Sequence, residues 1–136
     1  MRGQQVGRIL CLAALVAAVA ACGGNSAAGR TVDLKTRNDS GVTGTATLTD
    51  LGDGTTRVEV NVDPADHPDM PAHIHPGTCT DLVPQPLYPL QNVVGGVSET
   101  VVNVPIADLF GHDLALNLHA SNTDFGTYTA CAELVN

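Results

Sequence analysis

Aromatic side chains are scarce in this chain of 136 residues, which has no tryptophan, two tyrosines and two phenylalanines. Large rings supply much of the buried apolar surface in many domains. The core must therefore be built from valine, leucine and alanine. The roughly 115 residues that follow the apolar N-terminal segment are the length of one small domain. Neither an internal repeat nor a second domain is visible in them.

Positive charge is also scarce. Six basic residues stand against 14 acidic ones, and none of the six follows Arg57. Arg2 and Arg8 are expected to be removed with the N-terminal segment, which leaves four basic residues and a net charge of −10. Phosphate groups are bound mainly through lysine and arginine, so we expect no nucleic-acid partner. An acidic domain attracts a divalent cation, although an acidic surface also serves simply to keep an exported protein in solution.

The N-terminus carries the longest apolar run of the sequence. This run is ILCLAALVAAVAA, 13 residues that follow Arg8 and end before Cys22. It is too short for a comfortable membrane span, and the arginines before it are typical of a secretory signal. We therefore predict a signal peptide over residues 1–21.

The end of this segment, Val19-Ala20-Ala21-Cys22, resembles a bacterial lipobox. The resemblance implies cleavage before Cys22 and lipidation of its thiol. The protein would then be anchored to a membrane of the bacterial cell envelope, on the extracytoplasmic side. The alternative is an ordinary signal peptide cleaved near Ala21, which leaves a free thiol. Because GGNSAAG is typical of a flexible tether, we predict the lipidated cysteine and tether over 22–30 and the folded domain over 31–136.

Four cysteines are present, and two remain for the folded domain. Cys11 lies in the signal peptide and Cys22 carries the lipid, so Cys79 and Cys131 are left. Two thiols in an exported domain are expected to form a disulfide. Closing a loop of this length stabilises a fold by about 4 kcal/mol in the chain-entropy model.

Alternation of apolar and polar residues predicts an all-β domain. TATLTDL and TTRVEVNV flank Gly52-Asp53-Gly54, whose Asp-Gly pair is a strong hairpin signal. The proline-rich segment DLVPQPLYPL is incompatible with an interior strand and is expected to be an ordered loop, and PIADLFG to hold one helical turn. About seven short strands predict an antiparallel β-sandwich or flattened barrel. The remaining strand candidates are 31–36, 72–75, 99–104, 114–119 and 127–134.

Two of the five histidines, His73 and His75, lie in the segment PAHIHPGTC, separated by one apolar residue. In a strand, alternation sends both imidazoles to one face, with Cβ atoms about 7 Å apart. This separation suits two imidazoles that bind one ion. It equally suits two polar side chains that face water.

A third histidine, His119, ends the segment LALNLH, where the three leucines share one face and His119 lies on the other. Cys131 follows 12 residues later, and Cys79 lies four residues beyond His75. A disulfide between the two cysteines would draw the histidine segments together. We therefore predict that His73, His75 and His119 bind one ion, copper or, in the same site, zinc.

AHIHPGTC resembles the HxH-plus-cysteine segment of the Cu,Zn superoxide dismutases, and LALNLH followed by YTACAEL resembles their C-terminal histidine and disulfide strands. The likeness extends in patches over about residues 40 to 134. It implies a Greek-key β-sandwich, a disulfide between Cys79 and Cys131, and three copper ligands, His73, His75 and His119. The CHRD domain, which also carries an HxH segment, is a looser second resemblance without this cysteine pairing.

The chain departs from the dismutase pattern at several positions. Residues 80–111 contain no histidine, so the zinc site and the bridging histidine are missing. The loop between the last ligand histidine and the second cysteine is short, and Tyr128 stands where the family has an arginine that guides superoxide. His67 or Met70, just before the HxH segment, is a weaker candidate for a fourth ligand, whereas His112 lies in a turn and is expected at the surface.

These features support three functional hypotheses. The first is an envelope-anchored, copper-binding protein of superoxide dismutase-like fold that sequesters or handles metal. The second is a copper-only superoxide dismutase, an enzymatic activity that the sequence leaves open. The third is a β-sandwich for adhesion or surface assembly that binds no metal. The sequence favours the first, because the missing bridging histidine supplies the proton relay in the resembled family.

Overall fold

The computed structural model describes residues 28–136. The predicted signal peptide, the lipidation site at Cys22 and most of the tether lie outside the described residues. Within residues 28–136, no helix is long and apolar enough to cross a membrane.

The described residues form 11 strands and one short helix. Most of the long strands coincide with the segments in which apolar and polar residues alternate. In chain order the elements are β1 (Gly29–Thr36), β2 (Thr43–Asp50), β3 (Thr56–Asp63), β4 (Asp69–Met70), β5 (Ala72–Thr78), β6 (Asp81–Leu82), β7 (Tyr88–Pro89), β8 (Val93–Val94), β9 (Val97–Val102), α1 (Ile106–Phe110), β10 (Leu114–Ser121) and β11 (Asp124–Glu133).

All strand pairs are antiparallel, and the strands follow the order β4-β8-β9-β3-β2-β1-β11-β10-β5-β6, with β7 beside β5. Strand β1 belongs to both layers of the sandwich. Its residues Gly29 to Leu34 pair with β2, whereas Lys35 and Thr36 pair with β11. The strand order ends at β4 and β6, so the sheet folds into a sandwich and does not close into a barrel. The predicted antiparallel β-sandwich is confirmed.

The connections between the layers follow the Greek-key pattern. Strand β9 lies beside β3, and β10 lies between β5 and β11, so neighbours in space are distant in sequence. Strand β10 is therefore central in its layer, paired with β5 on one side and with β11 on the other. This topology brings the HxH segment next to the strand that carries His119.

The core is aliphatic, as the composition requires. Val58, Val60 and Val62 of β3 are buried, while the residues between them face outward. The three leucines of β10 occupy the inner face of the opposite layer. Within the described residues, Phe110 is the one aromatic side chain fully enclosed in this core.

Several short elements are absent from the sequence-based prediction. Strands β4, β6, β7 and β8 have two residues each, too few for alternation to be detected. Strands β6 and β7 lie at the two ends of the proline-rich segment and pair with β5. Between them the segment is a loop, as its prolines predict. The predicted helical turn is α1.

Candidate metal centre

Strands β5 and β10 place the three predicted ligands on one face of the sheet. His73 lies opposite Asn117 and His75 opposite Ala115. On the other side of β10, His119 lies opposite Tyr128, next to an irregularity in the register between β10 and β11. Opposite residues of an antiparallel pair point to the same face. Alternation therefore directs both β5 imidazoles to the outer face of the sandwich, beside the end of β10.

The three imidazoles form a compact cluster that could hold a metal ion. One nitrogen of each of His73, His75 and His119 lies within 4.8 Å of the other two. The closest approach is 2.9 Å, between Nδ1 of His73 and Nε2 of His119. His75 and His119 are buried, and His73 is partly exposed. The structure therefore brings together the three histidines that the sequence singled out.

Backbone carbonyl groups determine which nitrogen of two histidines is available. Nδ1–H of His75 donates to the carbonyl oxygen of Val83 at 2.9 Å, and Nδ1–H of His119 donates to that of Phe125 at 2.7 Å. Because a carbonyl only accepts, each Nδ1 carries the ring proton and each Nε2 has a free lone pair. His73 then donates its Nδ1–H to Nε2 of His119 in the metal-free protein.

The Nε2 atom of His75 is buried and has no hydrogen-bond partner in the part of the chain that the structure describes. A buried polar atom without a partner costs free energy, so it marks a place where a further group is expected. A metal ion bound to Nε2 would satisfy this lone pair. Ligating histidines commonly donate their other ring N–H to a carbonyl, as His75 and His119 do here. The donor set and its surroundings thus fit a metal ion.

Burial lowers the pKa of two of the three clustered histidines. The pKa of His73 is lowered from 6.5 to about 4, first by burial and then by the nearby His119 and His75. The pKa of His119 is also lowered, mainly by burial, although its bond to the Phe125 carbonyl acts in the opposite direction. Neutral imidazole is the form that binds metal, so neither histidine has to lose a charge at neutral pH.

A cavity of about 530 Å³ opens over the cluster and is mostly apolar. The ring of Phe125 stacks on His73 with centroids 6.1 Å apart, and Tyr128 meets His119 edge-on at 5.3 Å. Pro84 and Pro86 of the proline-rich loop complete the wall. Within residues 28–136 the basic side chains lie on β1, just after it and on β3, and none lines this cavity.

The predicted disulfide between Cys79 and Cys131 is present, with Cα atoms 5.8 Å apart. It ties the loop that follows β5 to β11. Gly77, near the end of β5, has a φ of +104°, and a Cβ there would overlap the carbonyl oxygen of Asp81. The loop then returns along β5 and presents the Val83 carbonyl to His75. The disulfide and the turn that begins at Gly77 therefore position the Val83 carbonyl, which bonds to His75.

The weaker ligand candidates lie elsewhere. Nδ1–H of His67 donates to the carbonyl of Ala120 at 3.3 Å, and His67 is not a member of the cluster. Met70 is fully buried in the core, where its sulfur accepts a hydrogen bond from Thr129. His112 is exposed after α1, as expected.

Sequence reasoning missed three groups that lie next to the histidine cluster. Two of them, the carbonyl groups of Val83 and Phe125, have no sequence signal, because every residue type offers a carbonyl. The third is Asn117, whose amide is fully buried between His73 and Cys131. Its signal was one asparagine within the strand LALNLH.

Fold and site together define an antiparallel β-sandwich with a three-histidine cluster that could hold a metal ion on its outer face. Comparison of the chain with protein-family models, with curated proteins and with solved structures gave no match. The resemblance to the Cu,Zn superoxide dismutases therefore rests on the residues quoted above.

Proposed function

We propose that this protein binds one copper ion through His73, His75 and His119 and sequesters or handles it in the bacterial cell envelope. One observation carries the proposal. The three imidazoles converge within 4.8 Å, and among residues 28–136 the buried Nε2 atom of His75 has no hydrogen-bond partner. An ion bound by the three imidazoles would explain why this buried polar atom has no partner there.

The chemistry of the donors supports copper, with zinc as the second ion for the same site. Imidazole suits both metals, and within residues 28–136 no thiolate competes, because Cys79 and Cys131 are joined in the disulfide. The lowered pKa of His73 keeps its ring neutral and available. The acidic surface of the domain favours the approach of a cation.

The superoxide dismutase-like ancestry and the membrane anchor belong to the same proposal. The order HxH, cysteine, histidine, cysteine supports the first, as does an antiparallel β-sandwich with Greek-key connections. The sequence Val19-Ala20-Ala21-Cys22 supports export and lipidation at Cys22, with the domain on the extracytoplasmic side.

Superoxide dismutation is the second candidate function, and the cavity favours it. Bound copper would supply one-electron oxidation and reduction, and the cavity gives a small molecule access to the cluster. Two features oppose it. Residues 80–111 contain no histidine that could relay protons, and no basic side chain lines the cavity to attract an anion. A sandwich that serves only adhesion leaves the unpartnered Nε2 of His75 unexplained.

Metal analysis of the protein purified from its own envelope tests the proposal, together with a dismutase assay on the same sample. We expect about one equivalent of copper per domain and little dismutation. The matched variants are His75→Ala, which removes the buried ligand, and His112→Ala, which removes an exposed histidine. Equal copper content in both variants would refute the proposal. Rapid dismutation that depends on His75 would instead establish the second candidate.

A further inference from the structure

Asn117 has a buried carboxamide that the fold does not explain. Its side chain is fully buried, and neither Oδ1 nor Nδ2 has a hydrogen-bond partner. Among the described residues, the other buried side-chain atoms without a partner are Nε2 of His75, which faces the proposed ion, and Oγ of Ser98 on the opposite layer. Two unpaired amide atoms in one side chain destabilise a fold. We therefore expect this side chain to have a role other than stabilising the fold.

The register places this carboxamide beside the histidine cluster. Asn117 lies directly opposite His73 on β5 and opposite Cys131 on β11, and His119 follows two residues later on the same strand. All four side chains share the outer face of the sheet. The cross-strand neighbours of Asn117 are therefore Cys131 of the disulfide on one side and His73 of the cluster on the other.

The nitrogen that His73 offers brings the ion close to this position. His73 points its Nδ1 atom, not Nε2, at the cluster, 2.9 Å from Nε2 of His119. Nδ1 is the ring nitrogen nearer to the backbone. An ion bound to it would therefore lie close to the sheet, on the face that Asn117 shares with His73.

From these relationships we infer that the Oδ1 atom of Asn117 is a fourth ligand of the ion. The inference rests on the proposed metal binding and adds a residue to it. Zinc in proteins is usually four-coordinate, and three histidines leave one position open. An amide oxygen is a hard donor, which suits Zn(II) and Cu(II) better than Cu(I). Asn117 thereby makes the site selective for the divalent state.

The test compares Asn117→Leu, close in size but without donors, with the parent protein. Competition titrations with Zn(II), Cu(II) and Cu(I) give the affinities. We expect Asn117→Leu to weaken Zn(II) and Cu(II) binding about tenfold or more and Cu(I) binding about threefold or less. The metal-free variant should unfold about 5 °C higher than the parent, because two unpaired amide atoms are removed.

Two further variants make the test specific. Asn117→Asp replaces the amide by a stronger oxygen donor, so it should retain or tighten Zn(II) binding. Thr129→Val is the matched control, since its hydroxyl is buried but bonded to the carbonyl of Leu118 at 3.2 Å. This control should lower the unfolding temperature and leave all three affinities unchanged.

The outcomes separate this inference from the proposed function. A parent protein that binds none of the three ions refutes the proposed function and the inference with it. If the parent binds and Asn117→Leu binds all ions equally well, the fourth position belongs to water and the inference is wrong. A fall in the unfolding temperature of metal-free Asn117→Leu, with unchanged affinity, identifies Asn117 as a structural residue bonded to internal water.

Discussion

The Nδ1 atom of His73 lies 2.9 Å from the Nε2 atom of His119, although 46 residues separate them in sequence. Nδ1–H of His119 donates to the Phe125 carbonyl, so its Nε2 is the acceptor in this pair. The metal-free protein thus uses the ring proton of His73 to satisfy a lone pair that an ion would otherwise bind. Metal binding at both atoms must move that proton to Nε2 of His73, on the partly exposed side of the cluster.

Removal of any one of the three clustered imidazoles is expected to weaken Cu(II) and Zn(II) binding about tenfold or more, because each supplies one of few donors. Calorimetric titration of His73→Ala, His75→Ala and His119→Ala measures the effect. His112→Ala is the control, since His112 is exposed after α1 and should bind metal like the parent. Parental affinity in both His73→Ala and His119→Ala would mean that the cluster is not a metal site.

The stability of the metal-free protein is expected to fall as the pH drops from about 6.5 to about 4. The folded-state pKa of His73 is lowered to about 4, so within this window the unfolded chain binds a proton that the folded protein does not. The free energy of unfolding therefore rises with pH across the window. The lowered pKa of His119 acts in the same direction.

Thermal unfolding of the metal-free protein at several pH values checks this expectation. His73→Gln, which cannot titrate, should show a smaller loss of unfolding temperature between these pH values than the parent. The same lowered pKa values imply that protons compete for His73 and His119 only below the usual histidine range near 6.5. If the parent protein were more stable near pH 4 than near pH 6.5, the lowered pKa values of His73 and His119 would be contradicted.

Reduction of the Cys79–Cys131 disulfide is expected to weaken metal binding as well as the fold. The bridge ties to β11 the loop whose Val83 carbonyl bonds to His75. We expect Cys79→Ser/Cys131→Ser to lose about 2–4 kcal/mol of unfolding free energy. Its Zn(II) affinity should be lower than that of the parent protein even at temperatures at which the variant is folded. Alkylation of the native protein without reductant, followed by mass analysis, checks the bridge in solution, where two modified cysteines would show that it is absent.

Membrane attachment is expected to depend on Cys22. A single acyl chain binds membranes marginally and several bind stably, so a multiply acylated cysteine should retain the domain in the membrane fraction. Fractionation of cells that express Cys22→Ser should find the protein outside the membrane pellet. Retention of this variant in the pellet at the parental level would leave lipidation at Cys22 without support.

The sequence alone determined the fold class and most long strands. Alternation in TATLTDL and TTRVEVNV requires one buried and one exposed face, and Gly52-Asp53-Gly54 requires a turn between them. These are local properties, because side-chain direction in a strand has a period of two residues. The two-residue strands escaped prediction since they form only where a neighbouring strand offers free backbone groups.

For the candidate site, the sequence determined which side chains are candidate metal ligands, and only the tertiary structure decided how they meet. His73 and His75 share a face by alternation. Their approach to His119 depends on the pairing of β5 with β10, because His73 and His119 are 46 residues apart in sequence. The orientation of each ring depends on carbonyl groups of Val83 and Phe125, which are chemically the same in every residue. The position of Asn117 between Cys131 and His73 likewise depends on β5, which is distant in sequence from the consecutive strands β10 and β11. Local pattern therefore specified the candidate ligands, whereas long-range pairing specified the geometry that an ion would require.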